Sequence, residues 1–491
     1  MTPTPPHLIV ILVDDLGWHN VGFHNKLQIS PNIDALVASG AELSRHYTYR
    51  FCSPSRSALL SGRLPIHVNE DNPPSITSKG GIDLRMTLLP QKLKTAGYVT
   101  ATYGKWHLGA RQWPNLPMNR GFDHHLGFLT GGEDHYTQLA YEAVSKGKKP
   151  VDLWQNAQPA YGRNGTYSCH LYGGEALKLI ESHDTSTPLF LYMAFQNTHA
   201  PYECPAEYLD PSVDFEGRRM MQGMLTCVDE ATGNLTSALK ARQMWQNTLM
   251  LWSADNGGPQ YWNANNWPLR GGKGTDFEGG VRAAAFLAGG ALKLPPGSTI
   301  RHPIHIADWY STFCTMAGVN PDDDSPAVVR GDVPQIDSID QTQLLTTVGA
   351  PAARTEVPLT FQALIVGELK LVLNTTVVVG HSSGYWTGPV WPTDKSHTPL
   401  EADPGCPPGG CLFNLTADET EHHELSAQLP EEKSRLTSRL QELLKGKFQS
   451  KWTDPKYEDC VTLADYVEAH HGFAGPICGR SVGASRETSI S

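Results

Sequence analysis

Four short runs, apolar or nearly so, each stop abruptly at residues able to do chemistry. His7-Leu8-Ile9-Val10-Ile11-Leu12-Val13 leads into Asp14-Asp15, and Val99-Thr100-Ala101-Thr102-Tyr103 into Gly104-Lys105-Trp106-His107-Leu108-Gly109. Pro188–Phe195 leads into Gln196-Asn197-Thr198-His199, and Thr248–Ala254 into Asp255-Asn256-Gly257-Gly258. Continuous runs of this length are the pattern of strands buried on both faces, as in a parallel sheet covered by helices. Open sheets of that kind bind ligands in the crevice at the carboxyl ends of their strands. Any one of these polar ends read alone is a surface loop; four together predict an α/β fold with one site gathered along that edge.

Within this frame, Asp14 and Asp15 would repel each other unless a cation sits between them. Helices are expected over Pro31–Gly40 and Leu88–Tyr98, the first with proline near its start and glycine at its end. Trp267-Pro268-Leu269-Arg270-Gly271-Gly272-Lys273-Gly274 and Glu278-Gly279-Gly280-Val281-Arg282 follow the last run and add Lys273 to the polar set.

A fifth stretch, Phe51–Arg63, puts Cys52 just ahead of Ser53-Pro54-Ser55. A helix is predicted to begin there, with Ser53 as cap and Pro54 in the first helical position, and to end at Gly62. The free N–H groups of a helix start attract anions, and Arg56 adds a fixed positive fork one turn inside. A cysteine so placed faces whatever anion binds.

The formal charge of −11 argues against binding nucleic acid over a broad surface, so an anionic substrate needs a local cationic pocket. No apolar run reaches the length of a membrane span. Apart from Cys52 the cysteines are Cys169, Cys204, Cys227, Cys314, Cys406, Cys411, Cys460 and Cys478, an even set that permits disulfides without requiring them. With sequons at Asn164, Asn234, Asn374 and Asn414 they favour a lysosomal or secreted protein, although Met1-Thr2-Pro3-Thr4-Pro5-Pro6 shows no signal peptide.

From about residue 355 the texture changes. Leu359–Val366 and Lys370–Asn374 read as strands about a turn at Gly367-Glu368-Leu369, and Thr376–Val379 continues the β character. Cys406 and Cys411 bracket Pro-Pro-Gly-Gly, close enough for a small-loop disulfide, and Pro430 to about Lys445 carries leucines on one helical face. Two units are expected: a catalytic domain over 1–354, and over 355–491 a small antiparallel sheet with a helix and a polar tail.

Collected, Asp14, Asp15, Asp255 and Asn256 offer only oxygen ligands, which suits Ca²⁺ or Mg²⁺ better than zinc. Arg56, Lys105 and Lys273 supply positive charge, and His107 and His199 can move protons. Such a site would hold a tetrahedral oxyanion and cleave its ester.

At this point the chain resembles the sulfatase family. Cys52-Ser53-Pro54-Ser55-Arg56 matches its Cys-x-Pro-Ser-Arg signature, Leu60-Ser61-Gly62-Arg63 the continuation, and Gly104–Gly109 the second signature. The likeness runs from Asp14 to about Leu425. It is closest to the arylsulfatase B (N-acetylgalactosamine-4-sulfatase) branch through Asn265–Gly271, Glu278–Arg282 and Cys411–Leu415. The resemblance implies an alkaline-phosphatase-like fold with a large, mostly parallel sheet. It implies that a formylglycine-generating enzyme oxidises Cys52 to formylglycine, whose hydrate meets a divalent cation held by Asp14, Asp15, Asp255 and Asn256 beside residue 52. Arg56 and Lys105 would steady that hydrate, His107 would be its base, and Lys105, His199 and Lys273 would contact the sulfate and its leaving group. The implied substrate is a sulfated sugar or aryl sulfate. The rivals are a phosphate or phosphonate ester hydrolase of the same fold, and a glycan-binding relative with its cysteine unmodified.

Overall fold

The structure, a computed structural model, describes residues 5–73, 75–141, 145–374, 383–392, 397–448, 450 and 454–479. Its strands are β1 (His7–Val13), β2 (Ala41–Leu43), β3 (His46–Tyr47), β4 (Val99–Gly104), β5 (His124–Gly127), β6 (Trp154–Gln155), β7 (Gln158–Pro159), β8 (Leu189–Phe195), β9 (Thr248–Ala254), β10 (Ala285–Ala288), β11 (Ser298–Ile300), β12 (Ile304–His305), β13 (Glu356–Thr360), β14 (Ala363–Val366), β15 (Leu369–Val372) and β16 (Cys411–Asn414). The helices that matter below are α1 (Pro31–Ser39), α2 (Cys52–Ser61), α3 (Pro65–Val68), α4 (Leu89–Thr95), α5 (Ser168–Ser182), α6 (Glu216–Ala241), α7 (Glu278–Val281) and α8 (Asp308–Ala317).

The large sheet has the order β11-β2-β10-β9-β1-β8-β4-β5-β6-β7. Its centre, β9-β1-β8-β4-β5, is parallel, and antiparallel strands flank it on both sides. All seven residues of β1 are buried because both faces are covered. Leu8, Val10 and Leu12 pack on one side with α2, α4 and α8, while Ile9, Ile11 and Val13 pack on the other with α1, α5 and α6. This sandwiching turns an alternating strand into a continuous apolar run. The register matters for function. Val13 lies opposite both Phe195 and Ala254, and Gly104 opposite Ala194, so Asp14, Lys105, Gln196 and Asp255 all emerge at one end.

The small sheet, β13-β14-β15-β16, is antiparallel throughout. One face closes on Tyr47, Phe277 and Val281. On the other, Leu364, Leu371 and Leu412 meet Leu436 and Leu440 of the helix Pro430–Leu444.

Several expectations need correction. Helix α2 starts at Cys52 with Phe51 as its cap, so Ser53 and Pro54 lie inside the first turn. A proline there forfeits nothing, since those N–H groups have no acceptor within the helix. The start is tied instead by Ser55, whose hydroxyl accepts the Tyr49 N–H at 2.9 Å and donates to the Phe51 carbonyl at 3.0 Å. Gly62 does end the helix, at φ 67°, a left-handed conformation that favours glycine. Leu359–Val366 is two strands broken at Phe361-Gln362, and Thr376–Val379 lies outside the described residues. The longest helix, α6, runs for 26 residues. Both Cys406–Cys411 and Cys460–Cys478 are disulfides. The segment after Asp454 packs back on the first unit, where Phe473 and Cys478 form isolated bridges with Val151 and Gln112.

Candidate active site

Cys52 is 1% exposed at the first residue of α2. Its Sγ lies 3.3 Å from Asp14 Oδ1 and 3.6 Å from Lys273 Nζ. Burial, reinforced by the Asp14 carboxylate, pushes the thiol far above its ordinary range, so residue 52 as a cysteine is not a thiolate nucleophile.

Around it the strand ends deliver three carboxylates and Lys105, helix α2 adds Arg56, and the loop before α7 adds Lys273. Lys105 donates to Asp14 at 2.5 Å, and Lys273 reaches Asp15 at 2.6 Å. Arg56 forks onto Asp255 at 2.8 and 3.0 Å and donates to the Lys105 carbonyl at 3.3 Å, so it braces two of the four loops. Burial would raise Asp15, but Lys273, His199 and Lys105 outweigh it and hold that carboxyl well below the usual range. Burial and the neighbouring Asp14 push Asp255 up to about 6, against the pull of Arg56.

The two histidines are set by single hydrogen bonds. His107, at φ 54°, uses Nε2 on the Pro73 carbonyl at 2.8 Å, which requires the proton to sit there. Nδ1, buried and without a partner among the described residues, is then a bare lone pair. Burial, with Lys105 beside it, keeps this imidazole neutral far below its ordinary value. His199 spends Nδ1 on the Ala200 carbonyl at 2.7 Å, and its Nε2 stands 3.7 Å from Asp15 Oδ2. Burial lowers His199 to about 3, with Asp15 opposing and Lys273 and Lys105 assisting.

The donor set fits a hard divalent cation. Oxygens of Asp14, Asp15 and Asp255 and the Cys52 sulfur all lie within 4.8 Å of one another. Asn256 donates to Asp15 at 2.8 Å, yet its own Oδ1 is buried with no partner among the described residues, an acceptor held at the same cluster.

The sequence signatures thus converge: Asp14, Asp15, Cys52, Arg56, Lys105, His107, His199, Asp255, Asn256 and Lys273 share one site. Others escaped notice. A Cβ on Gly131 would lie 3.1 Å from the His107 ring, and one on Gly132 would lie 3.3 Å from the His199 ring, so this glycine pair lets both imidazoles sit down. Asn72 caps the Ser53 N–H at 3.0 Å. A cavity of about 420 Å³ opens over the cluster, walled by Phe51, Tyr141, Tyr202 and Trp262. Phe51 adjoins Cys52 and Tyr202 follows His199 by three residues, while Gly131, Gly132, Asn72, Tyr141 and Trp262 are brought in from other parts of the chain. Of the sequons, Asn164, Asn234 and Asn374 are exposed and Asn414 is half-buried.

Comparison with known proteins agrees with the geometry. The sulfatase family model matches residues 6–319. Arylsulfatase J of Mus musculus is 40% identical over 325 residues, covering 65% of this chain and 54% of the relative. N-acetylgalactosamine-6-sulfatase of Mus musculus is 32% identical over 349 residues, covering 66% and 64%. The chain thus spans less than two thirds of the length of these two relatives. Among solved structures, Ps i-CgsB in complex with k-i-k-neocarrahexaose superposes with a TM-score of 0.71 at 26% identity, over 91% of this chain and 95% of that one. Phosphonate monoester hydrolase of Agrobacterium radiobacter shares the fold alone, with a TM-score of 0.59 at 17% identity over 97% and 100% of the two chains. The architecture is alkaline-phosphatase-like, and the chain belongs to the sulfatase family.

Proposed function

We propose that the protein hydrolyses sulfate esters, using a formylglycine made from Cys52 and a Ca²⁺ or Mg²⁺ ion held by Asp14, Asp15, Asp255 and Asn256. The observation that carries this is the meeting of residue 52 with three carboxylates and two lysines on the floor of one cavity. The buried, protonated thiol is the wrong group to attack an anion, which supports its replacement. A hydrated aldehyde supplies one hydroxyl to attack sulfur and a second to release the sulfate, and the cation supplies positive charge for the sulfate oxygens.

The chain's own residues do the rest. Lys105 and Lys273, both buried, face the anion with fixed charge on the cavity floor, where charge acts more strongly than in bulk water. His107 Nδ1 is the base that accepts the proton of the second hydroxyl. The Lys273 ammonium is the proton source for the departing alcohol, while His199, its Nδ1–H given to the Ala200 carbonyl, presents Nε2 to the leaving group as an acceptor. Arg56 keeps Asp255 and the Lys105 loop in register. Every residue of α2 is buried, so the formylglycine-generating enzyme must read Cys52, Pro54 and Arg56 before the chain folds.

The proposed substrate class is a sulfated sugar such as N-acetylgalactosamine 4-sulfate, with an aryl sulfate as a simple surrogate. The aromatic wall supports it, since sugar rings stack on such faces, as does the sugar-directed relative. The two disulfides and exposed sequons support a lysosomal or secreted location. No helix among the described residues is long and apolar enough to cross a membrane. The shared fold of a phosphonate hydrolase makes phosphate or phosphonate esters the second reading. Paired assays of one aryl alcohol as its sulfate, phosphate and phosphonate esters decide: faster sulfate release is expected, and faster phosphate or phosphonate release reverses the assignment.

A further inference from the structure

Helices α5 and α6 each lead into a strand parallel to β1, so they lie side by side and run in the same sense. They approach closely where Gly173 faces Ala231, a Cβ on the glycine coming within 3.4 Å of the alanine methyl. One turn earlier on each helix stand Cys169 and Cys227, both 1% exposed, both lining a cavity of about 160 Å³ that shares no residue with the active site. His170 and Tyr208 line the same cavity beside the two cysteines. His170 Nε2 meets the Tyr208 hydroxyl at 2.9 Å, and that hydroxyl donates to Glu230 at 2.9 Å, a hydrogen-bonded chain from the cavity to an exposed carboxylate. The Cys204 sulfur packs against Gly223, one turn before Cys227 on α6.

We propose that Cys169 and Cys227 form a second, thiol-based site that reacts with low-molecular-weight disulfides and closes into a disulfide clasping α5 to α6. In the first step the Cys227 sulfur attacks one sulfur of RSSR and its proton passes to the departing RS⁻, forming a mixed disulfide and releasing RSH. In the second the Cys169 sulfur attacks the Cys227 sulfur of the mixed disulfide, the Cys227–SR bond breaks, and the Cys169 proton passes to the departing RS⁻, which leaves as the second RSH. The sum is two protein thiols plus RSSR giving one protein disulfide and two RSH; the protein is oxidised and RSSR is reduced.

The division of labour follows the surroundings. Burial raises the Cys227 thiol, but Cys169, His170 and Tyr208 outweigh it and bring it to about 7, whereas burial holds Cys169 well above the ordinary range. A dithiol fits better than a metal site. Among the described residues, the clusters whose ligand atoms all lie within 4.8 Å of one another belong to the active site, so these sulfurs and the imidazole do not converge on one point as metal ligands must. The clasp would also close next to the support of the catalytic loop, since Ser168 Oγ meets His135 Nδ1 at 2.7 Å and His135 Nε2 meets the His199 carbonyl at 3.1 Å.

The test uses the purified full chain, incubated with oxidised glutathione, quenched by alkylation and mapped by mass spectrometry. Expected is a linked pair of peptides carrying Cys169 and Cys227, reopened by dithiothreitol. Cys169→Ser should trap glutathione on Cys227, and Cys204→Ser should leave the linkage intact. Both cysteines remaining alkylatable after oxidation, or a linkage running through Cys204, overturns the proposal. So does stoichiometric zinc that is lost on Cys227→Ser. Should a variant fail to fold, the map of the unaltered chain decides alone.

Discussion

At the carboxyl ends of the central strands, Asp14, Asp15 and Asp255 meet Lys105, Lys273 and Arg56; beneath the small sheet, Glu278 and Glu421 meet Lys370. Both clusters are buried, and in both every carboxylate has a cationic partner. Lys370 donates to Glu278 at 2.8 Å and pairs with Glu421 at 2.9 Å, while the Glu278 N–H donates to Glu421 at 2.7 Å. The sealed cluster joins β15 to α7 and opens on no described cavity. The strand-end cluster opens on one, and it keeps polar atoms in reserve: among the described residues Asn256 Oδ1 and His107 Nδ1 have no partner. Pairing alone therefore does not mark a site. What marks it is unused bonding capacity aimed at reachable space, since orphaned polar atoms are tolerated only where something else satisfies them.

The comparison can be broken at its strongest point first. Cys52→Ala should remove turnover of an aryl sulfate to background while leaving the denaturant midpoint near that of the unaltered protein; retained activity would end the proposed chemistry. The sealed cluster should respond in the opposite way. Lys370→Met leaves Glu421 buried without its cation and Glu278 with Arg282 alone at 3.7 Å, and should cost about 3–5 kcal/mol in urea unfolding. Turnover of whatever remains folded should be preserved.

These contrasts also show what was legible in advance. The central strands were readable because burial on both faces writes itself as an unbroken apolar run, and the signatures at their ends needed only register to bring them together. Helix α6 was not, because its Gly, Thr and Asn positions weaken the apolar stripe until α5 and α1 cover it. The start of α2 was misplaced because the Ser55 hydroxyl ties it from inside the first turn. Asn72, the Pro73 carbonyl and the aromatic wall reach the site only through tertiary packing. The same holds for Glu421, drawn to Glu278 from far along the chain, and for the Cys169–Cys227 neighbourhood, of which only an even count of cysteines could be read.

Two smaller effects sharpen the picture. Gly131→Ala should displace the His107 ring by a few tenths of an ångström and lower kcat about tenfold, with stability little changed. A drop in stability without a drop in kcat would reassign that glycine to packing. Glu421 gives the mildest test. Burial and Glu278 raise its carboxyl to about 7 from an ordinary 4.5, against Lys370. Its folded value lies above its unfolded one, so its contribution to stability is complete below about pH 4.5 and is lost as pH rises through about 7. Glu421→Gln should remove that slope, which is at most about 1.4 kcal/mol per pH unit. An unchanged stability profile would mean that Glu421 is ionised throughout.

The most direct measurement is the mass of the residue-52 peptide from active protein, with specific activity determined on the same preparations. Expected is an aldehyde in place of the thiol, in a fraction that rises in proportion to aryl sulfate turnover across preparations. A peptide carrying only the thiol in a fully active enzyme would contradict the proposal that Cys52 is the precursor of the nucleophile.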